Sequence, residues 1–238
     1  MSEFMTAVII GSLIGAIIGI CRGILITSTS LAEVTIRTIT AITLLIVGLI
    51  IYVYASKQMI SVILAGLLYQ MIVEYYALFN ARHIISYIAF GLIVGGYTAL
   101  MCFNLWYHTT LLYPFICAAL ADTGGYIVGR LFGKHYIAPN VSPKKTWEGL
   151  LGSCLFTSVG VMIWACYNAF PFSLSYTIAF CASIGCAIAV AGLLGDLCIS
   201  QLKRNAGAKD TGTLLPGHGG LLDRFDSILA IAILLLFI

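Results

Sequence analysis

The stretch Ile178-Ala179-Phe180-Cys181-Ala182-Ser183-Ile184-Gly185-Cys186-Ala187-Ile188-Ala189-Val190-Ala191-Gly192-Leu193-Leu194 carries no charge and then meets Gly195-Asp196. A bilayer-spanning helix needs about 20 mostly apolar residues, because the hydrocarbon core is roughly 30 Å thick and a helix rises about 1.5 Å per residue. The other structure that can span a bilayer is a closed barrel, whose strands alternate polar and apolar residues. Neither this run nor Ala41 to Tyr54 alternates, so both are predicted to be helices. Similar windows recur along the chain and predict about eight spans, at 5–21, 35–54, 59–79, 84–104, 109–128, 148–168, 176–199 and 221–238. The predicted fold is an all-α, polytopic membrane bundle.

Composition agrees. Of 238 residues 61% are hydrophobic and 9% charged, against roughly 25% charged in an average soluble domain, so a water-soluble globule is excluded. The net charge of +3 comes with no basic tract, and nucleic acid is not an expected partner. The eight cysteines form no CxxC pair and lie in or beside apolar runs, where they are expected to be small, buried apolar side chains. Met1 to Thr6 has no cationic region, so the first apolar run is expected to be a retained span rather than a removed signal. Gly11, Gly15 and Gly19 stand four apart, the spacing of a close helix-packing face.

Ionisable residues are unevenly spread: residues 1–121 hold seven Asp, Glu, Lys or Arg, and 122–238 hold fourteen. The chain is therefore expected to be one membrane domain, with N-terminal helices over 1–121 and a catalytic region over 122–238. Basic residues fall on alternate connections: Arg22 and Arg37, then Arg82, then Arg130, Lys134, Lys144 and Lys145, then Lys203, Arg204 and Lys209. The bias of short cytoplasmic loops toward Lys and Arg puts these connections on the cytoplasmic side of a multi-pass cell-membrane protein. The last span has a purely apolar part, Ser227 to Ile238, that would cover only about 18 Å. It crosses the bilayer only if Leu221 also enters, which brings Asp223 and Asp226 to the membrane boundary.

The most informative segment is Gly195-Asp196-Leu197-Cys198-Ile199-Ser200-Gln201-Leu202-Lys203-Arg204, followed by Lys209-Asp210 and by Pro216-Gly217-His218-Gly219-Gly220-Leu221-Leu222-Asp223-Arg224-Phe225-Asp226. If the helix continues through 204, Asp196, Ser200 and Lys203 share one face at i, i+4 and i+7. Asp223 and Asp226, at i and i+3, open the last helix on a common face beside its N-terminal N–H groups. Bringing Asp196 toward Asp223 would make an all-oxygen cage. Such a set suits Mg²⁺, which takes a few carboxylates plus substrate phosphate oxygens, and the implied reaction class is phosphoryl or nucleotidyl transfer. The glycines around His218 permit a tight turn and close approach of backbone to phosphate, and Arg224 can grip a phosphate with two N–H groups. Any single Asp or Lys here is commonly a solvated loop charge or a helix cap. It is the clustering of ionisable groups at helix ends in a membrane protein that points to a site.

A second cluster runs from Asp122-Thr123-Gly124 to Ser142-Pro143-Lys144-Lys145-Thr146-Trp147-Glu148-Gly149. Asp122 lies near the end of a span, where a carboxylate is costly without a cation or metal. Ser142, Lys144, Lys145 and Thr146 combine a turn with cations and hydroxyls, a cradle for phosphate. Glu74 with Tyr75 and Tyr76, Arg82 with His83, and His108 are expected to be interfacial anchors or helix contacts.

These motifs resemble the CDP-diacylglycerol synthases, also called phosphatidate cytidylyltransferases. The family pattern of Ser, Lys-Arg, Lys-Asp, His-Gly-Gly and Asp-Arg-x-Asp falls on Ser200, Lys203, Arg204, Lys209, Asp210, His218, Gly219, Gly220, Asp223, Arg224 and Asp226. Asp122-Thr123-Gly124 and the Ser142 to Gly149 stretch look like its second motif. The resemblance implies that phosphatidate attacks the α-phosphate of CTP, giving CDP-diacylglycerol and pyrophosphate. It implies catalytic roles for Asp196 and the matched polar residues, phosphate binding by Ser142, Lys144, Lys145, Thr146, Lys203 and Arg224, and metal ligation by Asp196 and Asp223, with Asp226 and Asp122 as further candidates. Magnesium, with potassium beside it, is the implied cofactor; CTP, phosphatidate, the lipid bilayer and a second copy of the chain are the expected partners. A transferase for another membrane lipid is the nearest alternative. The Asp-Gly-x-x-Ala-Arg string of CDP-alcohol phosphotransferases is absent. A transporter or channel is disfavoured because the charges cluster at one end of the spans and no inverted repeat is visible.

Overall fold

Ser56 accepts a hydrogen bond from Met59 N at 3.3 Å and so caps the first helix of the computed structural model, which describes residues 54–80, 82–106, 111–167, 174–214 and 219–238. The expected spans 5–21 and, but for Tyr54, 35–54 lie outside the described residues, as do Gly11, Gly15, Gly19, Arg22, Arg37, His108 and His218. The described residues form α1 (Lys57–Leu78), α2 (Ile84–Trp106), α3 (Tyr113–Phe132), β1 (Tyr136–Ala138), β2 (Ser142–Thr146), α4 (Trp147–Tyr167), α5 (Leu174–Asn205) and α6 (Leu222–Leu235).

Helices α1 to α5 are long and apolar enough to cross a bilayer, as the hydropathy pattern predicts, and the chain is an all-α polytopic membrane protein. Two bounds move. α3 starts at Tyr113 rather than 109, with Pro114 in its first turn, a position where the missing N–H costs nothing. α5 has 32 residues and is therefore about 48 Å long, well beyond a hydrocarbon core of roughly 30 Å. Its last turns, with Ser200, Lys203 and Arg204, continue past the apolar run. The stretch expected as a turn at 142–146 is instead a strand. β2 pairs antiparallel with β1, Tyr136 opposite Thr146 and Ala138 opposite Ser142, and Pro143 is tolerated because a two-stranded ribbon has free edges.

The pairs α1–α2, α3–α4, α4–α5 and α5–α6 pack antiparallel, through small residues and short polar contacts. Asn104 of α2 donates to Lys57 O at 3.0 Å and Ser61 Oγ at 2.9 Å of α1, and at the opposite end Tyr75 Oη of α1 donates to Ser86 O at 2.9 Å. Ser153 of α4 donates to Ala121 O of α3 at 2.6 Å, and Thr157 of α4 to Gly185 O of α5 at 2.7 Å. Such contacts hold helices together where lipid removes most of the hydrophobic drive for association. The shortest of the described helices, α6 with 14 residues, is central among them: it packs against α1, α2, α3 and α5. Leu222, Leu229, Ile231 and Ala232 are completely buried, and they join both apolar cores of the bundle. This arrangement gathers the C-terminal ends of α1, α3 and α5 and the N-terminal ends of α4 and α6 at one end of the molecule.

Candidate active site

Gly195 sets the crossing that brings the acidic residues together. A methyl group there would collide with Asp226 O and the Ala230 side chain, so its lack of a side chain lets α5 lie directly on α6. Asp196, the next residue, then faces the N-terminal turn of α6. The result is a cavity of roughly 280 Å³ lined by Asp122, Asp196, Lys203, Asp210, Asp223, Arg224, Asp226 and Ser227. Four elements supply this lining: α3, α5, the segment after α5, and α6. Asp196 and Asp122 are close enough to Asp226 to interact with it electrostatically.

Each of two carboxylates is paired with a lysine. Lys145 Nζ of β2 lies 2.5 Å from Asp196 Oδ2, while Ser200 Oγ donates to Asp196 Oδ1 at 3.1 Å, the i, i+4 contact expected on one helical face. Burial alone would lower the ammonium pKa of Lys145; the carboxylate of Asp196, with Asp122 and Asp226 further off, more than reverses this and holds it above the ordinary lysine value. Lys203 Nζ donates to Asp223 Oδ1 at 2.6 Å. Asp223 Oδ2 also accepts from Thr211 N at 2.8 Å and Gly220 N at 3.2 Å, with the Thr211 hydroxyl oxygen 3.1 Å away. Asp226 is buried, and its Oδ1 accepts from Ser227 N at 2.7 Å.

Of the residues singled out from sequence, Asp122, Asp196, Lys203, Asp210, Asp223, Arg224 and Asp226 share the cavity, and Ser200 and Lys145 border it through Asp196. The other described ones sit elsewhere. Arg204 donates to Val141 O at 3.2 Å and Ala208 O at 3.3 Å, tying the hairpin to the end of α5. Thr146 Oγ1 accepts from Gly149 N at 3.1 Å and caps α4. It is buried among Gly129, Gly133 and Gly149. Lys144 and Lys209 are exposed, Ser142 is half-buried, and none of the three lines the cavity.

Two participants were not foreseen. Glu74, expected as an interfacial anchor or helix contact, is 4% exposed and reaches the segment after α5 through Thr211 Oγ1 at 2.8 Å. The usable signal was a lone carboxylate inside an apolar run, which is costly without partners. Thr211 gave no such signal beyond standing next to Lys209-Asp210. The hairpin is fixed by Glu148, whose carboxylate accepts from Lys134 N and His135 N at 3.2 and 3.3 Å and lies 2.6 Å from His135 Nδ1.

Among the described residues no three acidic, imidazole or thiol side chains stand close enough to form a ready-made metal cage. The donor set nevertheless fits magnesium, which is commonly held by one or two carboxylates, with water and substrate phosphate completing its shell. Five aspartates face one polar cavity, and hard oxygen donors of this kind suit no soft metal.

A model of the cytidylyltransferase family matches residues 4–238. A phosphatidate cytidylyltransferase of Mycobacterium bovis is 46% identical over 118 residues, which are 50% of this chain and 37% of that protein. The proteins of the same name from Staphylococcus haemolyticus and Haemophilus influenzae are each 42% identical, over 125 residues (52% of this chain, 46% of theirs) and 120 residues (50% and 42%). The match thus spans less than half the length of each of these relatives.

Proposed function

Because the chain belongs to the cytidylyltransferase family, we propose that it transfers the cytidylyl group of CTP to phosphatidate, forming CDP-diacylglycerol and pyrophosphate for phospholipid synthesis at the cytoplasmic face of the cell membrane. The observation that carries this reading is the cavity in which Asp122, Asp196, Asp210, Asp223 and Asp226 face Lys203 and Arg224 at one end of an apolar bundle. Relatives 42–46% identical over half the chain bear the corresponding name.

A phosphomonoester oxygen of phosphatidate forms a bond to the α-phosphorus of CTP, and the bond from that phosphorus to the oxygen bridging to the β-phosphate breaks. The electron pair leaves with pyrophosphate. The nucleophile is already anionic near neutral pH, so no strong base is needed, and the protein's task is positioning and charge neutralisation. Lys203 and Arg224 face the cavity with donors suited to phosphate oxygens, and Lys145 adds a third cation at its edge. Gly219, at φ +83°, takes a left-handed conformation that glycine adopts freely and brings the turn against Asp210 and Asp223. Asp196 and Asp223, with Asp226 and Asp122 beside them, are the residues that would hold Mg²⁺. When bound, the metal, with or without an accompanying K⁺, supplies neutralisation of phosphate charge.

Purified protein in detergent is expected to release pyrophosphate from CTP only when phosphatidate and Mg²⁺ are both present. Release with an isoprenoid alcohol or phosphate but not with phosphatidate would assign another lipid acceptor, and release without any lipid would overturn the reading.

A further inference from the structure

The carboxylate of Glu74 lies outside the cavity yet touches the segments that build it. It is 4% exposed and accepts from Leu221 N at 2.8 Å, Leu222 N at 2.9 Å, Thr211 Oγ1 at 2.8 Å and Gln70 Nε2 at 3.3 Å. Four donors match the roughly four lone-pair positions of a carboxylate, so the buried charge is fully engaged.

Three of these donors belong to the site's own scaffold. The first N–H groups of a helix have no partner within it, and α6 has no side-chain cap from its neighbouring residue Leu221. Glu74 takes that place from 147 residues away, with the negative charge that the positive end of a helix dipole favours. Thr211 links the same carboxylate to the site: its hydroxyl lies 2.8 Å from Glu74 Oε2 and 3.1 Å from Asp223 Oδ2, and its N–H donates to Asp223 Oδ2. Glycines make room for this contact. A side chain at Gly220 would strike Thr211 Oγ1 and Glu74 Oε2, and one at Gly212 would press on Glu74 Cδ at 3.1 Å. The second glycine of His218-Gly219-Gly220 is therefore required by the approach of α1.

We propose that Glu74 is a positioning residue for the transfer reaction: it caps α6 and, through Thr211, fixes Asp223 at the cavity. This rests on the cytidylyl-transfer reading above. Glu74 contacts no cavity space, so it acts through Asp223.

The test is Glu74→Gln, which keeps the shape but turns an NH₂ group toward backbone N–H donors. kcat for pyrophosphate release from CTP and phosphatidate is expected to fall about 10–100-fold, the usual cost of losing a group that orients a ligating side chain. KM for CTP should stay within about threefold, the pattern of an interaction felt in the transition state rather than in uniform binding. Backbone amide exchange at Leu221 and Leu222 should quicken while that of α4 does not. Thr211→Val should reproduce the loss of kcat and Thr211→Ser should restore it; this pair carries the test if Glu74→Gln does not fold. Wild-type kcat in Glu74→Gln, or lost kcat with unchanged exchange at Leu221 and Leu222, overturns the proposal. Should the wild-type protein itself fail to use phosphatidate, the transfer reading falls, and unchanged exchange in Glu74→Gln would still refute the hold of Glu74 on the turn.

Discussion

Asp196 and Asp223 carry the same charge in different settings. The Asp223 side chain is 9% exposed and is tied to Lys203, Thr211 and Gly220, whereas that of Asp196 is 24% exposed and has Lys145 and Ser200. Asp223→Asn leaves the buried Lys203 ammonium with less counter-charge and turns an NH₂ group toward N–H donors. Its cost is expected to be about 2–3 kcal/mol. Asp196→Asn removes one of several mutually repelling carboxylates and a partly hydrated ion pair, and should cost less than about 1 kcal/mol. Both should abolish turnover. Activity together with thermal unfolding in detergent checks this: equal stability losses would contradict the described surroundings, and near-normal turnover in either variant would remove that residue from the site. The Asp196–Ser200 contact was legible in the sequence because helical spacing alone creates it. The Lys203–Asp223 pair was not, since twenty residues of chain separate them and only the fold of the intervening turn brings them together. Glu74 was less legible still, because its three partners in the site's scaffold lie 137 to 148 residues away.

Among the described elements, the seam between α3 and α4 is closely packed from both sides, and it positions both Asp122 and the hairpin that carries Lys145. A methyl group on Gly152 would stand 2.5 Å from Gly124 O and 2.5 Å from Val128 Cβ, whereas one on Gly66 of α1 would meet nothing within 4 Å. Gly152→Ala must therefore push the two helices apart, an overpacking cost of about 1–3 kcal/mol. Gly66→Ala should be neutral or gain up to about 1 kcal/mol from helix propensity. Unfolding midpoints in detergent compare the two directly, and a neutral Gly152→Ala would mean that the seam is looser than these distances require. Spacing along one helix can suggest a small-residue face, but Gly152 matters because of what α3 places opposite it, and that information is not local. The hairpin escaped notice for a related reason: Ser142-Pro143 reads as a turn until β1 supplies a partner strand.

For the whole molecule, apolar length was enough to find α1 to α5 within a few residues, since a bilayer core imposes one dimension on every span. It was insufficient for α6, which at 14 residues stands in the middle of the bundle, where other helices rather than lipid cover it. That placement explains how Asp223 and Asp226 can open a helix buried in a membrane protein: their end of α6 meets the polar cavity, and Leu229 to Ala232 meet the apolar cores. The antiparallel packing puts the loop after α1, the hairpin and the segment after α5 at one end of the bundle. Lys57, whose Nζ donates to Leu105 O at 3.2 Å, marks the opposite end. Since basic residues gather at the first end, the positive-inside bias predicts that it faces the cytoplasm. Exposed Lys134 and Gln58 report the two ends. In a background with the native cysteines replaced, Gln58→Cys should react with a membrane-impermeant thiol reagent in intact cells, and Lys134→Cys only after permeabilisation. The reverse pattern would place the cavity, and with it the access of CTP, on the outer face, where a cytoplasmic nucleotide could not reach it.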